Sequence, residues 1–178
     1  MQKKVSSTET YKARIFTVSK DIIEDETGKQ FARDIIHHHG GVGVLAMKED
    51  RILFVYQYRP AVDAMMLEIP AGKLEKDEDP YLCGLRELEE ESGFTTERLH
   101  KVCEFYSTPG FCNEKLYIYE AEALKVVEHP KAMDEDEDIE LRWYRVDEAM
   151  DMIQRNEIID AKTIIAIQYA ARKAAKKD

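Results

Sequence analysis

Glu87, Glu90 and Glu91 fall close together in the stretch Arg86-Glu87-Leu88-Glu89-Glu90-Glu91-Ser92-Gly93-Phe94. On a helix, which turns by about 100° per residue, the three carboxylates occupy an arc of roughly 100° on one face. Leu82, Leu85 and Leu88 gather on the opposite side and are predicted to be the buried stripe. Like charges at these spacings destabilise a helix by a few tenths of a kcal/mol each, so the cluster gains nothing unless a cation sits among it. Ligands that are all oxygen favour Mg²⁺, Mn²⁺ or Ca²⁺ over zinc. The alternative for such a cluster is a solvated acidic face, which is also the reading for Glu89. Just upstream, Pro70-Ala71-Gly72-Lys73-Leu74-Glu75 follows an apolar run. Glycine in that loop lets the backbone approach a ligand closely, or turn with positive φ, and the loop can offer a carbonyl oxygen to the same cation.

These residues need a scaffold. Asp79-Pro80 supplies an N-cap and a first-turn proline for a helix that Gly93 ends, and Asp147 and Asp160 are expected to cap two further helices. Val42 to Met47 and Ile52 to Tyr58 flank the polar turn 48–51. In the second run residues of both parities are apolar, as in a strand covered on both faces. Met65 to Ile69, Val102 to Tyr106, Leu116 to Ala121 and Leu141 to Val146 read as further strands. Ala13 to Val18 and Phe31 to His37, around the turn 26–29, predict a small N-terminal hairpin with a meagre core, for which a partner subunit is one source of covering surface. A mixed β-sheet sandwiched between helices is the economical α/β architecture.

With 178 residues, 44% hydrophobic and 35% charged, the chain suits one domain with a small extension and is neither disordered nor membrane-spanning in composition. A net charge of −10 argues against nonspecific nucleic-acid binding, which needs Lys and Arg to neutralise phosphates. Cys83, Cys103 and Cys112 match neither a metal pair nor a disulfide ladder, and they read as reduced core thiols. The polar N-terminus lacks an apolar segment resembling a signal peptide, so the expected location is cytoplasmic. His37, His38 and His39 alternate faces if extended, which leaves at most two able to converge.

Taken in order, Gly72, five residues, Glu78, seven residues, then Arg86-Glu87-Leu88-x-Glu90-Glu91-x-Gly93-Phe94 form the complete Nudix box. Such a match arises by chance in a given window on the order of once in 10⁹. The sequence therefore resembles a Nudix hydrolase, a family that cleaves nucleoside diphosphates linked to another moiety. Pro109, sixteen residues beyond Gly93 in Ser107-Thr108-Pro109-Gly110, is where ADP-ribose hydrolases of the family carry a proline. Gln57-Tyr58-Arg59, Leu67-Glu68-Ile69-Pro70-Ala71-Gly72 and the acidic run 134–138 also look like that branch. The similarity covers about residues 33 to 170.

The resemblance implies a Nudix fold, an α/β/α sandwich over residues 40–178, with residues 1–39 as an N-terminal β region in a homodimer interface. It implies Mg²⁺, with Mn²⁺ as an alternative, held by Glu87, Glu90, Glu91 and the Ala71 carbonyl. Arg86 would orient the carboxylates, and Glu78 is read as supporting them. Glu137, or Glu135 two residues earlier, would be the base that prepares the attacking water. Arg59, Glu68 and Pro109 would contact the substrate, Arg59 because its planar fork matches phosphate oxygens. The alternatives are a strand-end cap for Arg59 beside Pro60, an ordinary turn for Pro109, and a solvated loop for residues 134–138. The implied reaction is cleavage of ADP-ribose to AMP and ribose 5-phosphate. The competing expectations are another nucleoside diphosphate sugar such as GDP-mannose, a dinucleotide, or a nucleotide-sensing module without turnover.

Overall fold

In the computed structural model, which describes residues 1–131 and 138–176, the first forty residues form an antiparallel sheet of three strands, β1 (Lys3–Lys12), β2 (Phe16–Glu24) and β3 (Gln30–His38), in the order β1-β2-β3. The expected hairpin is present, with Asp25 and Gly28 shaping its turn, but a further strand precedes it. Every residue of β1 is exposed, so it carries no alternation of buried and exposed positions from which a strand could be read. It is held by its ladder to β2 and by cross-strand ion pairs, Lys3 to Glu24 at 2.8 Å and Lys4 to Asp21 at 3.2 Å.

The chain divides into two units, Met1–Gly40 with Phe105–Leu116, and Gly41–Glu104 with Tyr117–Asp178. In the first, the loop after residue 106 is stitched to β3: Ile36 N–H donates to the Phe111 carbonyl at 2.7 Å, Asn113 N–H to the Ile36 carbonyl at 3.1 Å, and His38 N–H to the Asn113 side chain at 2.8 Å.

The second unit contains β4 (Gly41–Leu45), β5 (Met47–Lys48), β6 (Arg51–Arg59), β7 (Ala64–Glu68), β8 (Ala71–Lys73), α1 (Pro80–Ser92), β9 (Phe94–Thr95), β10 (Arg98–Tyr106), β11 (Lys115–Glu122), β12 (Lys125–Val126), β13 (Glu140–Arg145), α2 (Val146–Gln154) and α3 (Ala161–Ala174), with the tips of β10 and β11 belonging to the first unit. One sheet runs β10-β11-β4-β8; another runs β13-β6-β5 with β7 on β6; β12 pairs with β9. Ile52, Leu53, Phe54 and Val55 of β6 are all fully buried, as the two-sided apolar pattern requires. Val42 and Val44 of β4 pack with Leu53, Cys83, Leu88 and Leu99 in the core under α1.

The caps of α1 are those the sequence predicts. The Asp79 carboxylate accepts from Tyr81 N–H at 2.8 Å and Leu82 N–H at 3.3 Å, Pro80 opens the helix, and Gly93 closes it at φ 69°. The buried face of α1 takes in only part of the leucine stripe: Leu88 is fully buried and Leu85 packs against the core. Leu82 is 60% exposed, whereas Cys83, Gly84, Glu87, Leu88, Glu91 and Ser92 are buried. Gly84 accounts for the rotation: a side chain there would come within 3.0 Å of Leu99 and 3.2 Å of Val42, so the helix rests on its smallest residue and turns Leu82 outward. Asp160 caps α3 through Thr163 N–H at 3.0 Å. Asp147 does not cap α2; the cap is Arg145, whose N–H donates to Glu148 at 2.9 Å, and Asp147 sits inside the first turn.

Candidate active site

Rotation of α1 puts two of the three carboxylates on the helix face turned into the protein. Glu91 is 4% exposed and accepts the Ala71 N–H at 2.8 Å, which fixes it to the strand β8. Glu87 is 9% exposed and lies against Gly72, where a Cβ would fall 1.7 Å from its carboxyl carbon. Gly72 is therefore needed for close approach, and the expected loop is in fact β8, paired with Gly41–Gly43 of β4.

Arg86 organises the remaining charges. Its Nη1 meets Glu87 at 2.7 Å and Glu90 at 2.9 Å, while Nε and Nη2 hold the two oxygens of Glu78 at 3.1 and 3.2 Å. Burial opposes the charge on Arg86, but Glu78, Glu87 and Glu90 outweigh it and hold the guanidinium firmly protonated. Burial likewise raises Glu78, and Arg86 brings it below its ordinary value. The neighbouring Cys83 thiol is pushed up by burial, so it packs as a neutral hydrophobe.

Among the described residues no group of three or more His, Cys, Asp and Glu side chains is gathered around one point suited to a metal ion. Glu90, like Glu87, is engaged by Arg86. The donors nonetheless fit a hard divalent cation. They are carboxylate oxygens, two are buried beside a glycine cradle, and Mg²⁺ is commonly held by one or two carboxylates with water and substrate phosphates completing its shell.

A second cluster lies on β6, β7 and the start of α3. Arg59 Nε and Nη2 donate to the two oxygens of Glu68 at 2.6 and 2.8 Å, in a bidentate fork. Lys162 Nζ donates to the same carboxylate and lies 3.1 Å from Asp160. Burial pushes Glu68 up, but the Arg59 hydrogen bonds and the Lys162 charge hold it at about 2. The Arg59 guanidinium is strengthened by Glu68 and, more weakly, by the charge of Glu91, so the two clusters feel one another electrostatically. Thr163 ties them to the chain that follows β7: its hydroxyl accepts the Ile69 N–H at 2.9 Å.

Of the sequence-predicted residues, the second unit thus brings together Ala71, Glu87, Glu90, Glu91 and Arg86, with Arg59 and Glu68 alongside. Pro109 belongs to the first unit, in a turn where Phe111 and Cys112 N–H groups donate to the Thr108 carbonyl. Glu137 and Glu135 lie outside the described residues.

Two residues of the second cluster escape sequence reasoning. Lys162 follows a helix cap and looks like any solvated lysine; only the fold carries it to Glu68, 94 positions away. Gln57 is buried, and its Nε2 is without a hydrogen-bond partner. Leaving such a donor unmet costs about 1–3 kcal/mol.

A protein from Bacillus subtilis, "ADP-ribose pyrophosphatase", is 38% identical to this chain over 98% of it and 95% of that protein. A "Methanol dehydrogenase activator" of Bacillus methanolicus is also 38% identical, over 99% of this chain and 96% of its own. A crystal structure of an "ADP compounds hydrolase" superposes with a TM-score of 0.84 at 19% identity, covering 99% of this chain and 95% of that one, and so shares the fold. The NUDIX domain model matches residues 37–166, a span that holds the whole carboxylate helix, its glycine cradle and the Arg59–Glu68 fork. This chain belongs to the NUDIX domain family.

Proposed function

We propose that the protein is a Mg²⁺-dependent pyrophosphohydrolase that cleaves ADP-ribose to AMP and ribose 5-phosphate. The observation that carries this reading is the likeness to the B. subtilis ADP-ribose pyrophosphatase over almost the full length of both chains. The buried carboxylates Glu87 and Glu91 beside Gly72 support it.

A bound divalent ion would supply charge neutralisation at the phosphates and a lowered pKa for the attacking water. Glu87 and Glu91, with Glu90 and the Ala71 carbonyl, would hold it, and Arg86 keeps Glu87 and Glu90 aligned. Glu137, with Glu135 as the near alternative, accepts the water's proton. Water oxygen bonds to one phosphorus as the bond from that phosphorus to the bridging oxygen breaks, and each half leaves with its own phosphate. Arg59, whose Nε and Nη2 are seated on Glu68, offers its remaining Nη1 toward diphosphate or ribose oxygens, while Pro109 shapes a substrate loop. The chain acts as a homodimer in the cytoplasm on this reading. No helix among the described residues is long and apolar enough to cross a membrane.

The test is release of AMP and ribose 5-phosphate from ADP-ribose with Mg²⁺, beside ADP-glucose, GDP-mannose, NADH and diadenosine phosphates, for wild type, Glu137→Gln and Glu135→Gln. Fastest turnover on ADP-ribose, lost in one of the two variants, is the expected result. A different preferred substrate overturns the ADP-ribose reading, and full activity in both variants overturns the assignment of the base. The B. methanolicus relative favours a second reading, in which the chain acts on a dehydrogenase. Its test is the rate of methanol oxidation by a purified methanol dehydrogenase with and without this protein.

A further inference from the structure

Among the described residues, the one buried side-chain nitrogen or oxygen with no hydrogen-bond partner is Nε2 of Gln57. The other buried polar side chains next to the second cluster are engaged: Glu68 by Arg59 and Lys162, Thr163 by Asp160 and Ile69. An apolar residue of the same length would fill the position without leaving a donor unmet, so an amide there points to a ligand.

Its place says which ligand. Along β6, Val55, Gln57 and Arg59 share a face, because successive strand residues alternate. Their partners on β7 are Glu68, Met66 and Ala64, and directly opposed residues present their side chains to the same side. Gln57 therefore lies between Arg59 and Glu68 on the face where these two join, and Lys162 reaches Glu68 from α3. The cluster on this face holds two cations, Arg59 and Lys162, each paired with the Glu68 carboxylate, and the unmet amide N–H adds a donor suited to an electron-rich oxygen. A carboxamide donates without adding charge, which suits a phosphate oxygen or a sugar hydroxyl alike.

We infer that Gln57 is a substrate-binding residue of this site, donating its side-chain N–H to an oxygen of the nucleoside diphosphate sugar that Arg59 also engages. This rests on the reading of the chain as a nucleoside diphosphate sugar hydrolase and adds to it a residue that reads the substrate. Gln57 Nε2 donates to no carboxylate of α1, so its expected contribution is to affinity rather than to the chemical step.

The test compares wild type with Gln57→Met, which keeps length and volume but removes the amide, and Gln57→Asn, which keeps the amide but withdraws it. With ADP-ribose and Mg²⁺, both variants are expected to raise KM about tenfold, the loss of one good hydrogen bond, with kcat little changed. In EDTA, without turnover, the rise in melting temperature produced by ribose 5-phosphate or by inorganic phosphate is expected to shrink in both variants. Loss with ribose 5-phosphate alone assigns the contact to a sugar hydroxyl, and loss with both assigns it to the phosphate. Ligand-free Gln57→Met is expected to melt no lower than wild type, because a buried unmet donor has gone. Wild-type KM and wild-type ligand shifts in both variants overturn the assignment while leaving the hydrolase reading intact. A wild-type protein that neither cleaves nor is stabilised by any nucleoside diphosphate sugar overturns the hydrolase reading, and the role of Gln57 with it.

Discussion

Glu91 accepts the Ala71 N–H at 2.8 Å while almost wholly buried, so its carboxylate is held against β8 rather than swinging in solvent. Glu91→Gln keeps an oxygen that can accept that N–H and removes the charge a cation would need. Assayed as AMP release from ADP-ribose, the variant is expected to lose at least about 100-fold in kcat/KM while its melting temperature stays within a few degrees of wild type. Near-normal turnover would remove Glu91 from the proposed metal ligands. Gly72 gives the complementary case. A methyl group there would occupy the space of the Glu87 carboxylate, at 1.7 Å from its carbon, and the flexible end of Glu87 is what can move. Gly72→Ala is therefore expected to cost only about 1–3 kcal/mol in stability, the range for overpacking, yet to lower kcat/KM by at least about tenfold by displacing a proposed ligand. Activity at the wild-type level, with the fold verified by thermal melting, would mean that the approach of Glu87 to the backbone serves packing alone.

Helix α1 and the join between β7 and α3 carry the two clusters of the candidate site, and they differ in how openly the sequence announces them. The caps Asp79 and Gly93, the spacing of the carboxylates and the two-sided burial of β6 are local or periodic features, and each is present as read. The rotation of α1 was not legible, because it depends on Gly84 meeting Leu99 and Val42, which are distant in sequence. Strand β8 was hidden by its three residues, and Lys162 and Thr163 by contacts 94 positions away. The ion-pair join has a consequence for pH. Glu68 sits at about 2 in the folded chain against an ordinary 4.5, so its pairing stabilises the protein fully above 4.5, and that contribution is lost as pH falls toward 2. Glu68→Gln lacks the pairing at every pH. The gap in melting temperature between wild type and this variant is therefore expected to be widest near neutral pH and to close progressively between about pH 5 and pH 2. A gap that stays constant over that range would show that Arg59 and Lys162 do not depend on the charge of Glu68.

At the scale of the whole molecule, charge and the N-terminal sheet pull in opposite directions. Strand β1 buries none of its ten residues, and Val5 and Tyr11 are apolar side chains left about half exposed. A sheet with such a strand gains little from hydrophobic burial within its own chain, and a second copy is the surface we propose for it. Each chain carries −10, so two would carry −20, and their repulsion is relieved by salt over a Debye length of about 10 Å at 0.1 M. The expectation is a dimer of about 41 kDa, twice 20.7 kDa, in sedimentation velocity at micromolar concentration and moderate salt, dissociating measurably as ionic strength is lowered. Val5→Glu adds a charge on an exposed apolar position of β1 and is expected to weaken the dimer further at every salt concentration, with the chain still folded. A wild-type protein that sediments as a monomer in moderate salt would overturn the dimer. A stable dimer indifferent to Val5→Glu would keep the dimer but move its interface away from β1, because an added carboxylate buried against a like-charged copy could not go unnoticed.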